Sequence, residues 1–115
     1  MPWNAEAVSI PPAVAGFIES TNSGDVDAFL AGFTDDAVLI DWGREFRGRA
    51  GIARWNLSDN IGKQAHFELI RVDETAPGEE FEVTLTVTGN GYNGTGPMTI
   101  RVDGDRISAL TISPS

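Results

Sequence analysis

The 115-residue chain contains no cysteine. That excludes disulfides, thiol nucleophiles and cysteine-based zinc sites, and it suits a reducing compartment. Histidine is nearly absent too, with a single residue, His66, so a histidine-based metal site lacks donors and none is expected. Basic residues are few: 8 Lys and Arg stand against 17 Asp and Glu, for a net charge of −9 and a pI near 4.3. Nucleic-acid binding rests on neutralising phosphates with Lys and Arg, and an anionic membrane surface repels such a chain. Neither partner is expected. No run of about 18 apolar residues occurs, so no transmembrane helix is expected. The start, Met1-Pro2-Trp3-Asn4, lacks the basic and apolar regions of a signal peptide, and the location expected is cytoplasmic.

What is present is a core-forming composition, 41% hydrophobic, in a length that fits one domain over 1–115. Residues 1–11 read as an irregular arm carrying Trp3. Beyond Pro11-Pro12, Val14, Phe17, Ile18 and Thr21 recur at helical spacing. Asn22-Ser23-Gly24 ends that helix, and Asp25 is a good N-cap for a second one carrying Val26, Phe29, Leu30 and Phe33. Asp35-Asp36 reads as a turn into a strand over 37–42, and Gly43 to Gly48 as a short charged connection. A third helix is predicted over about 49–60, with Ile52 and Trp55 inward. From there the period changes to two. Strands are predicted at 66–72, 81–88, 98–102 and 106–112, with a Gly-rich hairpin loop at 89–96 and a tight Asp103-Gly104 turn. The order is α-α-β-α-β-β-β-β. It predicts an α+β fold: a cone-shaped, curved, mostly antiparallel sheet packed against three helices from the N-terminal half, a cystatin-like roll enclosing a small apolar pocket closed by helices 1 and 3.

Asp41 is the most informative residue. It ends the apolar run Ala37-Val38-Leu39-Ile40 and precedes Trp42. A carboxylate there is either a solvated strand-end cap or a desolvated acid, and desolvation is how an Asp becomes useful as a base near neutral pH. Trp42, Phe46 and Trp55 line a pocket or fill the core. Asn90 and Tyr92 sit in the Gly-rich loop, a candidate rim. That loop opens no helix, so a phosphate-binding reading lacks its context.

The stretches Phe17 to Leu30, Phe33 to Val38 and Phe46 to Ile52, with the hairpin Val102-Asp103-Gly104-Asp105-Arg106-Ile107, resemble the nuclear-transport-factor-2-like superfamily, which includes SnoaL-like cyclases and ketosteroid isomerases. The resemblance covers about 12–112 and is specific for fold, since this fold hosts unrelated chemistries. It implies that Asp41 stands where ketosteroid isomerases keep their general base. It puts Phe17 and Met98 where they keep a tyrosine and a protonated aspartic acid, the pair that stabilises the oxyanion in those enzymes. Two apolar side chains there argue against steroid isomerisation by that route. The Asp-Arg-Asp set of epoxide hydrolases of this fold is matched only superficially by Arg101-Val102-Asp103, and the two-histidine set of scytalone-dehydratase-like sites is incomplete.

Two functions follow as expectations. One is a SnoaL-like enzyme, needing no cofactor, in which Asp41 (with His66 a weaker candidate) is general acid or base on a small hydrophobic or polyketide-like substrate. The other is a non-catalytic module binding a small hydrophobic molecule. An assembly role is a third option. The resemblance also implies a homodimer through the sheet face bearing Thr84, Thr86, Thr88, Thr99 and Arg101.

Overall fold

The computed structural model describes residues 10–113; nearly all of the predicted arm, including Trp3, lies outside the described residues. Helix α1 (Pro12–Ser23) starts with Pro at its first position, where the missing N–H costs nothing. The predicted spacing is its inner face: Ala13, Val14, Phe17, Ser20 and Thr21 are buried. Gly24, at φ +72°, ends it in the left-handed conformation that glycine adopts without strain. Asp25 caps α2 (Val26–Ala31), its Oδ1 accepting from the Ala28 N–H at 3.0 Å.

The chain then forms β1 (Phe33–Asp41), β2 (Arg44–Arg47), helix α3 (Gly48–Asp59) and a short 3-10 turn (Ile61–Lys63). Strands β3 (His66–Ala76), β4 (Glu80–Thr88), β5 (Gly94–Asp103) and β6 (Arg106–Ile112) complete it. The order in the curved sheet is β2-β1-β6-β5-β4-β3; β1 and β6 run parallel and every other pair antiparallel. This is the α+β cone with three helices.

Four local expectations are corrected. Asp35-Asp36 lies within β1, on an exposed stretch between the Phe33 and Val38 pairings, where the register shifts. The Gly43–Gly48 connection contains an edge strand, β2, because a two-residue turn folds it straight back onto β1. β3 runs on to Ala76 through a charged segment whose backbone pairs with β4. The glycine-rich loop is shorter than expected, because Gly94 and Gly96 already belong to β5.

The core sits between the helices and the sheet. Phe17, Phe29, Phe33 and Phe67 form an aromatic cluster with ring centroids 5.2–6.4 Å apart. Each is at most 3% exposed, and burial of such a ring stabilises by about 1.5–3 kcal/mol. Beneath α3 a small polar network is also buried: Asn60 donates to Thr21 Oγ1 and Asn56 Oδ1, both at 3.1 Å. It ties the end of α3 to α1.

Candidate ligand cavity

Strand parity delivers Asp41 to the interior. Ala37, Leu39 and Asp41 share one face of β1. The first two are fully buried, and the last inward position is a carboxylate whose side chain is 14% exposed. Trp42 and Gly43, at φ +50° and +86°, form the turn that returns the chain as β2 and sets Arg44 opposite Asp41 in register. Arg44 Nη2 donates to Asp41 Oδ2 at 2.8 Å and to Asp59 Oδ1 at 3.1 Å. Asp59 ends α3, and its Oδ2 accepts from the Ser58 hydroxyl at 2.6 Å. From the middle of the same helix the buried Trp55 indole donates to Asp41 Oδ2 at 2.9 Å. Both donors use Oδ2; among the described residues no hydrogen bond reaches Asp41 Oδ1.

Two groups in this cluster shift. The Arg44 guanidinium is raised, chiefly by its hydrogen bond to Asp59, against some desolvation and with help from the charges of Asp59 and Asp41. For Asp59, burial is the largest influence and pushes its carboxyl up. The Ser58 hydroxyl, the Arg44 hydrogen bond and the charges of Arg44 and Lys63 together outweigh it, and Asp59 lies below its usual value.

Asp41, Arg44, Ser58 and Asp59 form one polar end of a cavity of about 420 Å³, within the roughly 300–1,000 Å³ common for ligand sites. The rest of its wall is mostly apolar: Trp55, Phe67, Leu85, Val87, Met98 and Ile112, with Trp42, Lys63 and Tyr92 also lining it. Gly96 pairs with Leu85. Paired residues share a face, so the missing side chain at 96 leaves room beside Leu85.

Of the residues singled out from sequence, Asp41, Trp42, Trp55, Tyr92 and Met98 line this cavity. Four others do not. Phe17 is locked in the aromatic core, so α1 lies behind the cavity and only α3 closes it. Phe46 is half-buried beside Gly51, with the Arg44 guanidinium 5.5 Å from its ring centre. Asn90 is tied down elsewhere: its side chain donates to Gln64 Oε1 at 3.0 Å and its N–H to the Lys63 carbonyl at 2.8 Å. His66 is exposed because the next residue, Phe67, takes the inward position; it borders a separate polar groove with Thr21, Asn22 and Gln64. Asp41 is held by a cation and by an indole N–H.

Sequence reasoning missed Arg44, Ser58 and Asp59, and the apolar wall of Phe67, Leu85 and Val87. The wall was signalled by strand alternation. The charged cluster was signalled only by the i, i+3 spacing of Asp41 and Arg44 around Gly43. Among the described residues no three His, Cys, Asp or Glu side chains converge as metal ligands, and no helix is long and apolar enough to cross a membrane.

A curved sheet that closes with α3 around such a cavity defines a fold class, the nuclear-transport-factor-2-like superfamily. Within it, the chain belongs to the SnoaL-like domain family, whose model matches residues 14–110. Among solved structures, a candidate polyketide cyclase of Sinorhizobium meliloti is 25% identical, with a TM-score of 0.76 over 89% of this chain and 94% of that one. A Δ5-3-ketosteroid isomerase from Mycobacterium sp. is 22% identical, with a TM-score of 0.76 over 92% and 95%. RV0760c of Mycobacterium tuberculosis, in complex with estradiol-17β-hemisuccinate, is 16% identical, with a TM-score of 0.77 over 89% and 92%. The last two likenesses show the fold alone. No curated protein matches the chain.

Proposed function

We propose that this protein binds a small, largely apolar molecule in the cavity and moves a proton on it with Asp41, in a cofactor-independent isomerisation, cyclisation or elimination. The observation that carries this reading is the asymmetry of the carboxylate. Oδ2 is fixed by Arg44 and Trp55, while among the described residues no donor reaches Oδ1, and the side chain lines the cavity. A base must be held rigidly and keep one oxygen for its substrate.

The charges balance through Arg44. When a substrate C–H proton passes to Asp41 Oδ1, the electron pair stays on the substrate as an enolate-like anion. Asp41 becomes neutral and its grip on Arg44 weakens. The guanidinium, still held by Asp59 and lining the same cavity, is then a cation available to the new charge. Proton return to another position completes an isomerisation. The fold shared with a ketosteroid isomerase and the 25% identity to a candidate polyketide cyclase support this class of chemistry.

The test is α-proton exchange of 2-tetralone in D2O, followed by proton NMR. The protein is expected to accelerate exchange, and Asp41→Asn to abolish that acceleration while still binding the ketone. Equal exchange by both proteins would remove the proton-transfer role. A second reading, binding without turnover, is favoured by one specific feature: the apolar Met98 in the cavity wall and Phe17 in the core supply no oxyanion donors. It predicts binding by both proteins and exchange by neither.

We also propose that two copies associate through the outer sheet face. There Thr84, Pro97 and Thr99 are only partly exposed, and the Thr86 and Thr95 hydroxyls bond to each other at 2.8 Å. A cytoplasmic location remains part of the same proposal, resting on the absence of cysteine.

A further inference from the structure

We infer that Trp42 is a ligand-contacting specificity residue, whose indole stacks on a flat, ring-bearing apolar molecule at the cavity mouth. The inference deepens the small-molecule reading of the cavity and rests on it. Trp42 occupies the first central position of a two-residue hairpin turn in which both residues have positive φ, +50° and +86°. Turns of that kind favour Asn-Gly, because Asn tolerates the left-handed region and a bulky aromatic does not. The local fold is therefore better served by another residue. Nor does the side chain contribute to the core: it is 57% exposed, although Trp is normally among the more buried residue types. A residue that is both strained and exposed is explained by what it meets outside the fold.

Its position says what that is. Trp42 lines the cavity beside Asp41 and Arg44, the two ends of its own turn. Tyr92, also lining the cavity, is a second exposed aromatic, at 55%. Its ring lies across Gly94, where any side chain would collide with it. Two large π-surfaces thus border an apolar chamber that Asp41 also lines, its Oδ1 accepting no hydrogen bond among the described residues. Aromatic rings prefer stacked or edge-on ring partners to alkyl chains. The matching ligand is a fused or flat ring system carrying a hydrogen-bond donor or an acidic C–H at the end that reaches Asp41.

The experiment compares 2-naphthol, a flat ring bearing a hydroxyl, with 1-decanol, a flexible apolar alcohol, by titration calorimetry against the full chain. Trp42→Asn is expected to weaken 2-naphthol about fivefold or more and to leave 1-decanol within about twofold. It is also expected to raise Tm, since the turn gains its preferred residue. Trp42→Phe is expected to keep most of the 2-naphthol affinity. Equal losses for both probes, no loss for either, a lowered Tm, or no binding of 2-naphthol by the unmodified protein would each overturn the inference. Failure of proton exchange with Trp42-dependent binding intact defeats only the catalytic reading. Exchange that persists in Trp42→Asn with unchanged 2-naphthol affinity defeats only this one.

Discussion

Replacing Arg44 by Met removes the cation joining two carboxylates while keeping most of the apolar stem. The Arg44 side chain is 53% exposed, so each ion pair is screened and contributes about 0.3–1 kcal/mol rather than a buried-pair value. Asp59, however, is the last residue of α3, where the helix dipole already disfavours a negative charge. Without Arg44 it also faces Asp41 uncompensated. The combined loss is expected to be about 1–2 kcal/mol, or roughly 5–10 °C in Tm for a chain of this size. The pH dependence follows from Asp59, whose folded carboxyl lies below its usual value. A depressed carboxylate contributes stability that is complete above its unfolded pKa, about 3.9, and lost as pH falls through the lower folded value. Arg44→Met deletes two of the influences that lower Asp59. The folded value must rise, so the contribution shrinks; its acid loss still begins at the unfolded pKa but is complete at higher pH. Thermal unfolding followed by circular dichroism from about pH 2.5 to 7 reads both effects. Arg44→Lys keeps the charge but not the fork and is expected to fall between. A variant that melts with the unmodified protein at pH 7 and follows the same acid limb would refute the bridging role.

Asn60→Leu is expected to cost about 1–3 kcal/mol, because Thr21, 3% exposed, loses its amide donor in a site closed to water; urea unfolding measures it, and a change under about 0.5 kcal/mol contradicts the network. For the sheet-face association, sedimentation at about 50 µM is expected to give twice the 12.3 kDa chain mass, and Thr84→Glu the monomer; a monomeric unmodified protein ends that proposal.

Much of the fold was legible because its elements obey local periods. The α1 face of Val14, Phe17 and Thr21 and the β4 face of Phe81, Val83 and Leu85 are buried as their spacing predicts. The Asp25 cap is a single-residue signal of the same kind. β2 was not legible, because Arg44 to Arg47, three exposed residues and the half-buried Phe46, hold no hydrophobic pattern and are strand only through pairing. The parallel contact of β1 with β6 joins segments about 70 residues apart and has no local signature. In the cavity, the strand phase that buries Phe67 already turned His66 outward, so its exposure was readable from its neighbour. The Asp41–Arg44–Asp59 cluster was not, since Asp59 reaches it only through the placement of α3.

The turn at Trp42-Gly43 concentrates the chemistry of this chain. Asp41 is inward because it continues the parity of Ala37 and Leu39, and Arg44 is its partner because the turn has two residues. A register slip of one would send both to the opposite face. The turn therefore sets the cavity carboxylate, its counter-ion and the exposed aromatic together, within four consecutive residues. The aromatic cluster of Phe17, Phe29, Phe33 and Phe67 supplies stability behind the cavity, with Phe67 alone of the four reaching its wall. On the proposed reading, substitutions in the turn would alter ligand choice or proton transfer at a cost of one or two surface-type interactions, while the core that defines the fold is untouched. On the same reading, a change confined to residues 41–44 is expected to abolish proton transfer while leaving the rest of the cavity wall in place, so ligand binding and proton exchange are separable by substitution in the turn alone.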